Sequence, residues 1–247
     1  MAAAAARTRF FFFGSVLFLV SMLACGWARA GSLSVNPVRV MLSDKRPVAA
    51  LTLQNSGGAP ALVQLEVFSW SQREGKDVYT PTREILATPP IFTVPAGGSQ
   101  LLRVGLRRPI DPQRELSYRL YLQEVPPPPA PGFRGLQVAL RIGVPVFVLP
   151  LVQASPMLQW KAATMAPGKI KITAANSGNV HVQVANFSVS QANSALPPVT
   201  RQVAAYLMPG QSLDWIVKAN LAPGATLRLA AQTDAGNVET DLVLEKQ

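Results

Sequence analysis

Residues with chemical capacity are few and scattered along this chain. Its 247 residues include one histidine, His181, and one cysteine, Cys25. A metal centre needs several ligands at fixed spacing, and a nucleophilic triad needs a nucleophile, a base and a group that orients the base. Neither can be assembled around His181, whose neighbours Val180, Val182 and Val184 predict a strand with the histidine turned to solvent. A glycine-rich phosphate loop and a Gly-x-Ser-x-Gly elbow are both missing from the sequence. The carboxylates of Glu74 and Asp77 fall in the turn-like "QREGKDVY", where a solvated loop is the ordinary reading. The expectation is a chain with no catalytic residue, no metal ligand and no cofactor, and so not an enzyme.

The chain does offer apolar alternation. In "GLQVALRIGVPVF" every second residue is branched and apolar: Leu136, Val138, Leu140, Ile142, Val144 and Val146. As a strand this segment presents one continuous hydrophobic face. From the residues alone it is either an interior strand of its own core or an edge strand that needs a partner to cover it.

The elements that position this strand begin after a leader. Arg7 and Arg9, the apolar stretch from Phe10 to Met22 and the small-x-small triplet Ala28-Arg29-Ala30 form a secretory signal, residues 1–30, cleaved after Ala30. So short an apolar run, with no stop-transfer pattern, predicts no stable membrane insertion. Met22 to Cys25 also resembles a lipoprotein signal with its leucine one place off, but the expectation is that Cys25 leaves with the leader. A cysteine-free mature chain then has neither disulfides nor thiolate metal sites. The whole chain carries 23 basic and 13 acidic side chains, and losing Arg7, Arg9 and Arg29 leaves 20 against 13, a charge of +7. That surplus favours acidic partners or carboxylates. Nucleic acid is not expected, since the chain is exported and its basic residues form no run longer than Arg107-Arg108.

Strand-like runs bounded by turn residues recur about every ten to fifteen residues, and no long helical period interrupts them, so the chain reads as all-β. Two segments repeat an order of elements. "LTLQNSGGAPALVQLEV" and "ITAANSGNVHVQV" each place Asn-Ser-Gly between alternating strands, with Asn55 and Asn176 at turns suited to left-handed backbone. Each repeat is later followed by a Pro/Gly turn opening another strand, in "VPAGGSQLLRV" and "MPGQSLDWIV". Two immunoglobulin-like β-sandwich domains are expected, residues 31–150 and 151–247. The proline run "VPPPPAPG" cannot pair in a sheet and reads as a stiff loop before the hydrophobic strand.

Four stretches in order, "NPVRVML", "REILATPPIFTVPAGGSQLLRV", "ELSYRLYLQEVP" and "GLQVALRIGVPVFVLP", give the mature chain a family resemblance. It resembles the periplasmic pilus-assembly chaperones of the chaperone-usher system, with "SYRLYLQEVP" and "GVPVFVLP" most similar to the archaic branch. The resemblance implies two immunoglobulin-like domains set at an angle, a periplasmic location, pilus subunits and an outer-membrane usher as partners, and self-dimerisation as an option for the free chain. It implies that Leu136, Val138, Leu140 and Ile142 belong to a strand lent to a subunit that lacks its last strand, a mode of β-strand addition. Val144, Val146 and Phe147 run toward the domain junction and read as core.

The resemblance further implies an anchor for the subunit's terminal carboxylate, made in conventional members by an arginine of the first strand and a lysine of the lent strand. Arg39 matches the arginine, while the lysine's place holds Pro145 and the neighbouring basic position Gly143. Arg119, turned away from the face of Tyr118 and Leu120, is the first candidate replacement and Arg141 the second; Arg103 reads as fold support. An acid–arginine–acid hinge is implied between domains. Glu124 and Asp234 match its acids, but Leu149 stands at the arginine's place. Ala87-Thr88-Pro89-Pro90 matches a turn where the family can hold a cis proline. The rival function is a structural surface protein, a pilus subunit or an immunoglobulin-like adhesin; an enzyme with an accessory domain ranks third.

Overall fold

The computed structural model describes residues 33–129, 131–191, 197–219, 221 and 223–246, so the expected leader and Cys25 lie outside the described residues. The first ten strands are β1 (Leu33–Asn36), β2 (Val40–Leu42), β3 (Val48–Asn55), β4 (Ala61–Arg73), β5 (Lys76–Pro81), β6 (Ile85–Thr88), β7 (Ile91–Val94), β8 (Ser99–Leu106), β9 (Leu116–Glu124) and β10 (Arg141–Val148). The remaining seven are β11 (Leu158–Ala166), β12 (Lys169–Asn176), β13 (Val182–Gln191), β14 (Val199–Leu207), β15 (Ser212–Lys218), β16 (Thr226–Thr233) and β17 (Gly236–Glu245). Among the described residues no helix is long and apolar enough to cross a membrane.

Alternation explains the packing. In β9, Tyr118, Leu120 and Leu122 are buried, and in β12, Ile170, Ile172 and Ala174, because side chains two apart share a face. The first domain is a sandwich of one sheet ordered β1-β3-β8-β6 and another ordered β2-β10-β9-β4-β5, with β7 also on β4. Its core includes Leu51, Val63, Leu102, Leu120 and Val146. The chain changes sheet at the cis Asn36–Pro37 bond, after which β2 runs parallel to β10. Thr88–Pro89 is also cis. In the second domain the order is β14-β13-β16-β17-β11-β12-β15, around a core that includes Ile172, Phe187, Leu207 and Leu229.

The two Asn-Ser-Gly repeats are equivalent down to single hydrogen bonds, for a reason other than the one expected. Neither asparagine has a positive φ. Both are buried, at 2% and 1% exposure, and both bridge backbone. Asn55 Nδ2 donates to the carbonyls of Ala59 and Val94, and its Oδ1 accepts from Gly57 N. Asn176 Nδ2 donates to those of Val180 and Leu207, and its Oδ1 accepts from Gly178 N. An amide supplies a donor and an acceptor on one short side chain, which is what these buried turns require. Left-handed backbone occurs instead in the β4–β5 turn, at Glu74 and Gly75 with φ 52° and 72°.

Candidate functional site

Along β10 the face shared with the core runs past the end of the domain. Val144, Val146 and Val148 are buried, Ile142 and Leu140 are half-buried, and Val138 and Leu136 are 66% and 87% exposed. Of the lent-strand candidates only Ile142 is in a strand; Leu136, Val138 and Leu140 belong to a segment without regular pairing that follows the proline run. One edge of β10 is filled by β9 over its whole length, whereas β2 covers only Val146 to Val148 on the other. Among the described residues no strand pairs with the open edge from Arg141 to Pro145. Extended backbone with unpaired N–H and C=O groups can accept a further strand there.

The three arginine candidates occupy two places. Arg119 pairs across the sheet with Pro145 on β10 and Phe68 on β4. Its guanidinium lies 4.1 Å above the Trp70 ring, and Nη2 is 3.5 Å from the Tyr79 hydroxyl. Nε of Arg119 is buried with no partner, so this cation is underused within the chain. Arg39 donates from Nη1 to Asp234 Oδ2 at 2.7 Å. Both cations flank Tyr206: the Trp70 ring beneath Arg119 meets it edge-on at 5.1 Å, and Asp234, which holds Arg39, lies 3.7 Å from His181, whose ring is 5.7 Å from that of Tyr206. Arg141 stands apart, opposite Gln123 and about 13 Å along β10 from Pro145 at roughly 3.3 Å per residue. It pairs with Glu66 at 3.0 Å and covers the Tyr121 ring at 3.9 Å.

Tyr206 stands at the junction of the domains. Trp70 and Phe147 of the first domain bury themselves against Met208 of the second, flanked by Met41, Tyr79 and Tyr206. Gln72 splices onto the second domain's backbone, donating to the Tyr206 carbonyl at 2.7 Å and accepting from Met208 N at 3.0 Å. Glu115 N donates to the Asn179 carbonyl.

Two expectations about this junction are corrected. His181 does not face solvent: it is 8% exposed, with Nδ1 2.8 Å and 2.9 Å from the two oxygens of a fully buried Glu115 carboxylate. The first domain packs over the side chain that alternation assigns to water. Glu124 is not a hinge acid. It ends β9 at the far side of the domain, where its carboxylate accepts from Leu140 N at 3.0 Å. The carboxylates that make contacts across the junction are Glu115, just before the other end of β9, and Asp234, which meets Arg39 and whose Oδ2 lies 3.7 Å from His181 Nε2. Sequence reading missed Glu115 because its partner His181 lies 66 residues away in the chain; its place at the head of "ELSYRLYLQEVP" was the available signal. Arg103 lies on β8 opposite Thr88 and Ala50, away from this junction. Among the described residues no group of three metal-ligating side chains forms.

Residues 32–152 match the family model described as pili and flagellar-assembly chaperone, PapD N-terminal domain. No curated protein matches the sequence. Solved structures match nearly the full length. A chain of the CsuC–CsuE chaperone–tip adhesion subunit complex, from archaic chaperone-usher Csu pili of Acinetobacter baumannii, is 19% identical with a TM-score of 0.63, covering 87% of this chain and 99% of that one. The complex of the SafA pilin with the SafB chaperone from Salmonella enterica gives 20% identity, a TM-score of 0.60 and coverage of 88% and 98%. The CupB2 chaperone of Pseudomonas aeruginosa gives 19%, 0.56, and 85% and 100%. Residues 32–152 thus carry the PapD N-terminal domain of the pilus-assembly chaperones, and the chain as a whole has the two-sandwich fold of these structures.

Proposed function

We propose that this protein is exported to the periplasm, captures newly exported pilus subunits by lending them its hydrophobic strand, and delivers them to an outer-membrane usher. Leu136, Val138, Leu140 and Ile142 are the side chains that fill the subunit's groove. Arg39 and Arg119 hold the subunit's terminal carboxylate at the domain junction, where a guanidinium can bind it bidentately; Arg141, farther along β10, braces Tyr121 instead. No nucleotide is consumed, because the free energy comes from completing the subunit's fold. The mature domains are taken as residues 31–150 and 151–247.

The observation that carries this reading is the burial gradient from fully buried Val146 in β10, past the open edge from Arg141 to Pro145, to 87% exposed Leu136 in the unpaired segment before it. Each such side chain moved out of water contributes about 1.5–3 kcal/mol before ordering costs, so exposing several is retained only where a partner covers them. Supporting it, the CsuC–CsuE and SafB–SafA structures are complexes of a chaperone with a subunit. The test is affinity purification of the tagged protein from its host's periplasm, with intact-mass analysis of what co-elutes. A one-to-one complex with a small β-rich protein is expected. The protein recovered alone, with its subunit demonstrably expressed, would defeat the proposal. Its presence on intact cell surfaces would favour the structural-protein alternative.

A further inference from the structure

A guanidinium carries five N–H donors on two edges and a corner, and a carboxylate binds it best along one edge, with two parallel hydrogen bonds. In this chain only one corner of Arg39 is engaged: Nη1 meets Asp234 Oδ2 at 2.7 Å, and Arg39 has no other hydrogen-bond partner among the described residues. The Nε–Nη2 edge is therefore available for bidentate binding. The side chain is 37% exposed, so that edge can be reached.

Asp234 is itself fixed before it meets Arg39. Its Oδ1 accepts from Gln183 N at 2.8 Å, and its own N donates to the Gln183 carbonyl at 3.0 Å. Two hydrogen bonds to one residue hold the carboxylate against β13, so its second oxygen projects from the second domain at a set position. Arg39 is its only arginine or lysine partner among the described residues, since Leu149 stands where the family resemblance expects the hinge arginine. A long, rotamer-rich side chain is thereby ordered by a short, doubly bonded one.

We propose that Asp234 is a positioning residue for the carboxylate anchor: from the second domain it holds one corner of Arg39 and leaves the Nε–Nη2 edge set for the terminal carboxylate of a bound chain. This rests on the anchor reading above and adds to it. The anchor is assembled only when the domains are docked, with the arginine supplied by one and its orientation by the other. Arg119 completes it, since it lies over the Trp70 ring that packs edge-on against Tyr206 and its Nε has no partner.

The experiment uses two synthetic peptides of alternating valine and threonine, identical except that one ends in a free carboxylate and the other in an amide. Their affinities for the full mature protein are measured by calorimetry, and the carboxylate-to-amide ratio is the readout. The ratio cancels any general loss of strand binding. Asp234→Asn keeps an Oδ1 acceptor for Gln183 N and loses the charge that holds Arg39. The expected ratio is well above one for the wild type, about tenfold smaller for Asp234→Asn, and near one for Arg39→Ala. Asp241→Asn removes an equal charge from an exposed pair with Arg228 in the same domain and is expected to leave the ratio alone. An Asp234→Asn ratio equal to or above wild type, with Arg39→Ala still abolishing it, overturns the positioning role while the anchor stands. Equal falls in Asp234→Asn and Asp241→Asn also overturn it, as a general charge effect. A wild type that does not bind or discriminate the peptides removes the anchor reading and this inference together.

Discussion

Phe147 of β10 stacks on His181 of the second domain, the ring centroids 3.6 Å apart and the planes 14° from parallel. The strand proposed to be lent thus begins as the floor of the domain junction. Six residues after Val138 its side chains have passed from exposed to fully buried, and three further on Phe147 meets a histidine that Glu115 holds from the other side.

The Glu115–His181 pair should be costly to break from one side only. Removing the imidazole in His181→Ala takes its closest side-chain partner from a fully buried carboxylate and leaves it only the backbone N–H at 181 and the Ser117 hydroxyl, which is expected to destabilise by about 1–3 kcal/mol. Urea unfolding checks the loss. The double variant with Glu115→Ala should cost less than the sum of the two singles, since no buried charge is then orphaned.

Opposite behaviours are expected from the segment leading into β10 and from β9 beside it. Leu136→Glu with Val138→Glu touches exposed side chains and should leave the unfolding transition within about 0.5 kcal/mol while abolishing subunit capture. Leu120→Ala, in the core on β9, should cost about 2–5 kcal/mol. Melting curves and co-purification, run on both variants, separate the two roles.

Alkaline pH should act through the phenols. Burial pushes Tyr118 far above the ordinary value of 10, reinforced by its hydrogen bond to Glu84; burial also raises Tyr79 and Tyr206. A folded-state pKa above the unfolded one gives stability that is complete below pH 10 and lost as pH rises toward the folded pKa. Ultraviolet titration of phenolate should show Tyr118 ionising last or only on unfolding. In Tyr118→Phe the alkaline loss of stability should shrink.

Asn55→Ala and Asn176→Ala each strip three hydrogen bonds from a buried turn, leaving backbone groups unsatisfied at about 1–3 kcal/mol apiece. Each substitution should weaken its own domain. Hydrogen exchange should therefore show protection falling around Val94 for the first and around Leu207 for the second.

Local pattern made much of this fold legible. Alternation marked β9, β10 and β12, and the Asn-Ser-Gly repeat identified a duplicated sandwich although its asparagines serve as backbone bridges. What stayed hidden depends on one domain covering another. His181 lies just before β13, among Val180, Val182 and Val184, and alternation assigns it to solvent; instead Val180, His181 and Val182 are buried in succession, because the first domain packs over the histidine. Glu124 and Glu115 lie in one quoted stretch, yet a strand of nine residues separates their ends by nearly the length of the domain. That Arg119 turns away from the face of Tyr118 and Leu120 was legible because parity on β9 is a local property. Its stacking on Trp70 was not, since Trp70 arrives from another strand.

Gln72 has a consequence of a different kind. Its amide grips the second domain only through main-chain atoms, one carbonyl and one N–H, so these two hydrogen bonds ask nothing of the side-chain identities at 206 and 208, which are set by packing. The constraint falls wholly on position 72. A glutamate there keeps the acceptor for Met208 N but turns a second oxygen toward the Tyr206 carbonyl, lone pair against lone pair, and a lysine keeps only the donor. Of side chains this length, only an amide can impersonate a passing strand.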